Sequence, residues 1–405
     1  SLKFIIVGGS ISGLAAAYQL RDSGHEVIIL DKTDGKTKVG GSIRCPPNMT
    51  RILNEWPGMT ALFESSATKC SGISFRHADT SEPVGFMKFH EQIMAELRAD
   101  FLILQHDDLC RELTSLCLAA GVVFQYGCKA VDVKSSDGSV TVALENGKIL
   151  QGDIVIGADG HNSLVRSIVA EKTLEFTHTV LAVTHRLQRI NIAIPTRIVE
   201  EDEEFKSLCN SNEFTIWMGN GSSVVGTLDV CQQRYIPHPR ALLPTPIVDV
   251  TDGDWHANHA VKTTVPLDYL SDYDPRLRKL IKLGYTCCPT IHRVFEQEDV
   301  VGLDGMAVLV GDAAHSALIH GSHNSSMAVE DAVTLGRLFS RLSNRTQIPL
   351  LLHAYREIRQ PRTSATQKSE YDPSSKFPCP PVPPGGQRCR FKRNIVQSLR
   401  GLPQL

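Results

Sequence analysis

Short apolar runs alternate along this chain with stretches of helical spacing. Phe4-Ile5-Ile6-Val7 is rich in β-branched residues and too short for a helix, so it predicts a buried strand. The spacing from Leu14 to Leu20 predicts a helix packed through small residues, ended by Gly24 in the left-handed turn of a C-cap. Val27-Ile28-Ile29-Leu30 reads as a second buried strand, closed by Asp31. Two more such runs, 153–157 and 306–310, each lead into a turn of glycine and aspartate. A helix is expected after Asp107 and Asp108, whose charge suits a helix start, with Leu109, Leu113, Leu116 and Leu118 on its apolar side. Pro46 and Pro47 exclude regular helix at that point, and a short helix is expected over 49–56.

Elsewhere the period is two. Residues 72–76 and the runs 180–183, 215–218, 224–228 and 261–265 predict strands of a second, antiparallel sheet. Asp137-Gly138 and Asn146-Gly147 predict hairpin turns around 140–144. Helices are expected over about 325–342 and 349–369. Beyond Tyr371 the chain is proline-rich, then basic, and reads as an extended tail.

Composition narrows the classes. A net charge of -2 gives no global pull towards nucleic acid, and 6% aromatic residues offer no stacking platform for single strands. Eleven scattered cysteines without zinc or redox spacing suit reduced, buried thiols and no metal site. No apolar run reaches membrane-spanning length. These features predict a cytoplasmic protein, a monomer or homodimer, with membrane contact confined at most to the basic tail.

The chemistry gathers at Gly8-Gly9-Ser10-Ile11-Ser12-Gly13. Strand, glycine turn, helix, strand and terminal acid are the parts of a dinucleotide-binding βαβ unit. Gly8 permits the sharp turn, and Gly13 lets the helix lie close to the sheet. Ser10 stands where a pyrophosphate approaches the positive end of the helix. Asp31 is placed to accept from an adenosine ribose. An α/β unit with a glycine turn and no ligand is the structural alternative. Gly157–Ser163 and Gly311–His315 repeat the design of a strand running into a glycine or acid and then a helix start. Asp159 and Asp312 are the better site candidates there. His315 reads as a packed, hydrogen-bonded residue.

Together these motifs resemble the class A FAD-dependent monooxygenases of the p-hydroxybenzoate hydroxylase type, and among them the fungal salicylate-hydroxylase-like enzymes. The resemblance runs over about residues 3–369. It is carried by the glycine hexapeptide, Gly-Ser-Ile before Pro-Pro-Asn, Gly-Ala-Asp-Gly-x-x-Ser-x-Val-Arg, Gly-Asp-Ala-Ala-His, Ala328-Val329-Glu330-Asp331-Ala332, and Tyr355 with Arg359-Gln360-Pro361-Arg362. It implies an α/β fold. A Rossmann-like, glutathione-reductase-type FAD-binding domain (1–72, 101–170, 296–370) would interleave with an antiparallel β-sheet substrate domain (73–100, 171–295). C-terminal helices and the tail 371–405 would complete it.

It implies FAD as cofactor, NADPH or NADH and O2 as co-substrates, and a small phenolic or related secondary-metabolite substrate. The reaction would be oxygen insertion through a flavin C4a-hydroperoxide; the alternatives are epoxidation, oxidative decarboxylation or simple oxidation on a polyketide or terpenoid scaffold, and a non-catalytic flavin-binding protein. By position, Gly8, Ser10, Gly13, Asp31 and Lys32 would hold the ADP part. Gly41 and Ser42 would run along the flavin side, and Val131 would touch the adenine. Asp159, Gly160, Asp312, Asn324 and Ser325 would line the rest of the cofactor. His106 stands where the family has an arginine, and Ser316–Asn324 lacks the family's prolines. Arg186, Tyr235, His320 and His323 are the catalytic candidates.

Overall fold

The computed structural model describes residues 1–35, 42–136, 138–174, 185–195, 199–206, 211–219, 222–226, 228–229, 241–242, 245–249, 270–283, 285–294, 299–315 and 322–371. Lys3–Val7 forms the middle of a six-stranded sheet. Glu26–Leu30 and then Val123–Gln125 lie on one side of it, and Ile154–Gly157, Ala307–Leu309 and Val301–Gly302 on the other. All neighbours are parallel except the last pair. Strands of such a sheet are covered on both faces, which is why they read as unbroken apolar runs rather than alternations. Phe4, Ile5 and Ile6 are completely buried.

The helix Ile11–Asp22 lies against His106–Ala119 and Asn324–Phe339. Its alanines allow that approach: Ala15, Ala16 and Ala17 are buried, and Gly24 takes φ of 87° after its C-cap, as expected. In His106–Ala119 the apolar stripe differs by one position from the expectation. Leu109, Leu113 and Leu116 are buried with Cys110 and Cys117, whereas Leu118 is 60% exposed. At 3.6 residues per turn, Leu118 falls outside the stripe that Cys117 completes. The helix expected over 49–56 begins earlier, as Pro47–Leu53, because the first turn needs no N–H from proline.

Ala130–Ser136, Ser139–Leu144 and Ile149–Gly152 form an antiparallel meander that returns the chain to the main sheet at Asp153. Among the described residues the second sheet has nine strands. Gly72–His77 and Pro83–Lys88 join it from the first half of the chain, and Glu213–Met218 lies beside Gly72–His77. That last pairing is parallel, so the sheet is mixed where a wholly antiparallel one is expected. It joins segments far apart in sequence and needs no hairpin. A small three-stranded sheet of Ser42–Cys45, Leu102–Gln105 and Thr68–Lys69 stands apart from the two larger ones. The strands expected at 180–183 and 261–265, and the tail beyond 371, lie outside the described residues. Among the described residues no helix is long and apolar enough to cross a membrane.

Candidate FAD site

The glycines of the first turn make backbone contacts that no side chain tolerates. Gly8 has φ of 109°, and a Cβ there would collide with the Ala158 carbonyl. A Cβ on Gly13 would strike the carbonyl oxygen of Gly8, so the helix sits directly on the turn. Gly9, which the motif spacing does not single out, is constrained differently, by a side chain and not by backbone. A Cβ there would press on the Asp31 carboxylate.

The turn opens into a cleft of about 400 Å³. Gly8, Ser10, Asp31, Lys32, His106, Asp159 and Gly160 line it together, joined by Thr33, Lys129, Ala130 and Asn162. Gly13 lies behind the turn. Val131 is not in the lining and is 43% exposed; Lys129 and Ala130, beside it, reach the cleft instead. Ala130 opens the strand Ala130–Ser136, in which neighbouring side chains face opposite ways, so Val131 turns from the face that Ala130 presents.

Two helix starts face each other across this cleft. Ser10 is the N-cap of Ile11–Asp22, and its side chain does not cap the first turn. The hydroxyl instead lies 3.2 Å from His106 Nε2, and His106 opens the helix His106–Ala119, which also lacks a side-chain cap. Burial works against charge on His106, but the Asp107 and Cys110 side chains outweigh it and bring the pKa up to about 9. The imidazole is therefore a cation at neutral pH, and the charge expected of an arginine is kept in another form. Unfilled helix N–H groups, the helix dipoles and His106 make this end of the cleft an anion site.

The acids divide the work. Asp31 Oδ1 accepts from the backbone N and hydroxyl of Thr33, at 2.8 and 2.9 Å. Asp159 has a structural task that the sequence reading did not foresee. Its carboxylate accepts from Ser163 Oγ and from the backbone N of Leu164 (2.7 Å) and Val165 (3.3 Å), capping the helix Leu164–Leu174. Ser163 Oγ in turn accepts from Arg166 N at 2.9 Å, a second cap on the same helix start. Asp312 lies in the turn Gly311–Ala313, which packs against Ser12 of the first helix. Burial pushes its carboxyl up, against the pull of His315, His161, Arg166 and His106.

Behind that turn is a buried ion network. Asp331, 1% exposed, accepts from Gly311 N (2.9 Å), His315 Nε2 (2.9 Å) and Arg359 Nε (2.7 Å). Arg359 also reaches Glu330 at 2.8 Å, and Glu330 accepts from Asn48 and from both ends of the Arg362 fork. The Tyr355 hydroxyl donates to Leu309 O at 2.9 Å. His315 is thus a packed residue, as expected. The residues of the Glu330-Asp331 and Arg359–Arg362 motifs hold the closing helices against the Gly311 turn.

Asn324 and Ser325 begin the helix Asn324–Phe339, and His323 is its N-cap residue. Ser42 opens the strand Ser42–Cys45, outside the cleft lining. Arg186 lies on His185–Pro195, paired with Arg293. Tyr235, His320 and Gly41 lie outside the described residues.

The residues present fit the ADP part of FAD. An anion site formed by two helix starts suits a pyrophosphate, Asp31 suits a ribose hydroxyl, and Gly160, φ 79°, leaves open space where a Cβ would stand.

Residues 6–59 match the NAD(P)-binding Rossmann-like domain family. The FAD-dependent monooxygenase ntnJ of Nectria sp is 27% identical over 375 residues, covering 91% of this chain and 83% of that protein. The structure of CtdE in complex with FAD and a substrate superposes with a TM-score of 0.76 at 15% identity, over 92% of this chain and 88% of that one. A salicylate hydroxylase–substrate complex gives 0.70 at 18% identity, over 91% and 87%. The chain is therefore similar in sequence to FAD-dependent monooxygenases and shares the fold of these two flavoprotein structures.

Proposed function

We propose that this protein hydroxylates a small phenolic or related aromatic compound, with NADPH or NADH as reductant and O2 as oxidant. The observation that carries the reading is the convergence of Gly8, Ser10, Asp31, His106, Asp159 and Gly160 on one cleft between two helix starts. Those residues come from both the amino-terminal βαβ unit and the strand end at 157–160. FAD held there would supply the redox chemistry of an NAD(P)H- and O2-dependent hydroxylation.

The chain's own residues do the rest. Ser10 and His106 take the pyrophosphate, Asp31 the adenosine ribose, and Lys32 the outer edge of the ADP part. Asp159 keeps its helix start in place beside Gly160. Asp312 would accept from the ribityl chain of the cofactor, and Asn324 and Ser325, at a helix start, would face the flavin ring. Gly41 and Ser42 follow the flavin side, and Ala130 with Lys129 flanks the adenine next to Val131. Arg186 and Tyr235 orient the substrate, and His320 and His323 move protons at the reacting end. The similarity to salicylate hydroxylase favours a phenol as the ring.

The test is purification of the holoprotein, identification of the released flavin, and NAD(P)H oxidation with and without salicylate-like phenols. Phenol-stimulated NAD(P)H consumption by a FAD-containing protein supports the reading. A colourless protein that takes up no FAD sinks it.

A further inference from the structure

Thr33 lies in the loop that follows the strand Glu26–Leu30 and brings Asp31 to the cleft. It is exposed, so packing does not account for how it is held. Its backbone N and its hydroxyl both donate to one oxygen of Asp31, Oδ1, at 2.8 and 2.9 Å. The hydroxyl in turn accepts from Gly35 N at 3.3 Å, which leaves its single proton directed at Asp31. Gly35, Thr33 and Asp31 thus form a short hydrogen-bonded chain that ends on Oδ1.

The loop is tied down, so it does not follow the carboxylate if the carboxylate turns. Asp31 N donates to Gln125 O (3.0 Å), at the end of the neighbouring strand Val123–Gln125. Cys128 N donates to Asp31 O and Gly127 N to Thr33 O, both at 2.8 Å. Gly35 has φ of 73°, and a Cβ there would collide with the Tyr126 ring.

The second oxygen of Asp31 is placed differently. A Cβ on Gly9 would come within 2.5 Å of Oδ2, so this oxygen lies over the pyrophosphate turn. Gly9, Asp31 and Thr33 all line the cleft of about 400 Å³. A carboxylate offers roughly four lone-pair sites on its two oxygens. Thr33 fills the two on Oδ1, and Oδ2 is the oxygen turned to the cofactor side.

We propose that Thr33 is a positioning residue for Asp31, fixing the carboxylate so that one oxygen, Oδ2, takes the hydroxyls of the adenosine ribose. This rests on the FAD reading above, and it adds a residue outside the strand, turn, helix, strand and acid of the βαβ unit. A carboxylate already held in its binding rotamer loses little further freedom when the ribose arrives, and that pre-organisation is what the hydroxyl contributes.

The test is a cycle of protein and ligand changes. The full chain, freed of flavin, is titrated with FAD and with a FAD analogue whose adenosine ribose lacks both hydroxyls, and flavin fluorescence reads binding. Thr33→Val removes the hydroxyl and keeps the shape and the backbone N–H. It weakens FAD about 3- to 10-fold and the analogue less than about 2-fold. Thr33→Ser keeps the donor and binds FAD within about 2-fold of wild type. Equal weakening of both ligands by Thr33→Val overturns the proposal, by making Thr33 a support of the loop alone. Unchanged FAD affinity in Thr33→Val overturns it as well. If Thr33→Val does not fold, Thr33→Ala carries the same cycle. A wild type that binds FAD and the analogue alike overturns the proposal and leaves the FAD reading standing. A wild type that binds neither refutes the FAD reading, and the proposal with it.

Discussion

His106 gives the sharpest test of the site's electrostatics. Its imidazole is held near 9 rather than the usual 6.5, and its side chain is only 20% exposed. A pKa raised on folding adds stability that is fully present below the unfolded pKa of about 6.5 and is lost as pH rises through about 9. Full conversion of that difference gives ~3 kcal/mol at 1.36 kcal/mol per pH unit. Asp107 lies 3.5 Å away and is 44% exposed, so water screens part of the attraction. The expected contribution is therefore ~1–3 kcal/mol. The groups bearing on His106 are Asp107 and Cys110 of its own helix and Ser10 and Asp312 from the elements opposite.

The perturbation is His106→Gln, and the assay is urea unfolding of both flavin-free proteins at pH 6 and pH 10. The stability advantage of wild type should shrink by ~1–3 kcal/mol between the two conditions. FAD affinity should fall about tenfold over the same range in wild type and stay nearly flat in the variant. An advantage that does not change with pH would refute the protonated imidazole, and with it the cationic pyrophosphate site.

Three other perturbations probe the frame around the cleft. Gly13→Ala places a methyl on the Gly8 carbonyl oxygen, so soluble protein should carry no flavin; a normal flavin content would contradict the close packing. Arg359→Met leaves Asp331 and Glu330 without their shared cation, and urea unfolding should show a loss of ~3 kcal/mol, since breaking a buried ion pair strands part of the carboxylate charge and His315 and Arg362 offset only the rest. Both carboxyls are held below their usual values, against burial, by Arg359 with His315 or Arg362. Their contribution is present above about pH 4 and fades as pH falls through the lower folded values, so Asp331→Asn should flatten the acid limb of the stability profile. Asp159→Ala removes a helix cap and should cost ~1 kcal/mol in thermal or urea unfolding; no loss would mean the cap is not holding the helix.

The parallel sheet was the most legible part of the chain. Its strands are buried on both faces, so 4–7, 27–30 and 154–157 announce themselves as apolar runs bounded by glycine or acid. The pyrophosphate turn was legible for a related reason: only glycine accepts the backbone at Gly8. Gly9 was missed because its constraint comes from Asp31, a neighbour supplied by the next strand. Asp159 was judged by its place at a strand end, and its capping bonds to Ser163 and Leu164 depend on a turn that composition alone does not draw. Leu118 was misassigned because Cys117, an equally good core residue, competes for the same stripe. Thr33 left no mark in the sequence, since its bonds to Asp31 depend on how the loop turns after the strand. Contacts between distant segments, such as the parallel pairing of Gly72–His77 with Glu213–Met218, are set by topology.

Turnover under 18O2 tests the central claim most directly. FAD-loaded protein is supplied with NADPH or NADH and a salicylate-like phenol that stimulates nicotinamide oxidation, and the product is analysed by mass spectrometry. One 18O atom is expected in each hydroxylated product, with the second appearing in water. Nicotinamide oxidation that yields only hydrogen peroxide across the phenol panel, or an oxidised product without label, would contradict it.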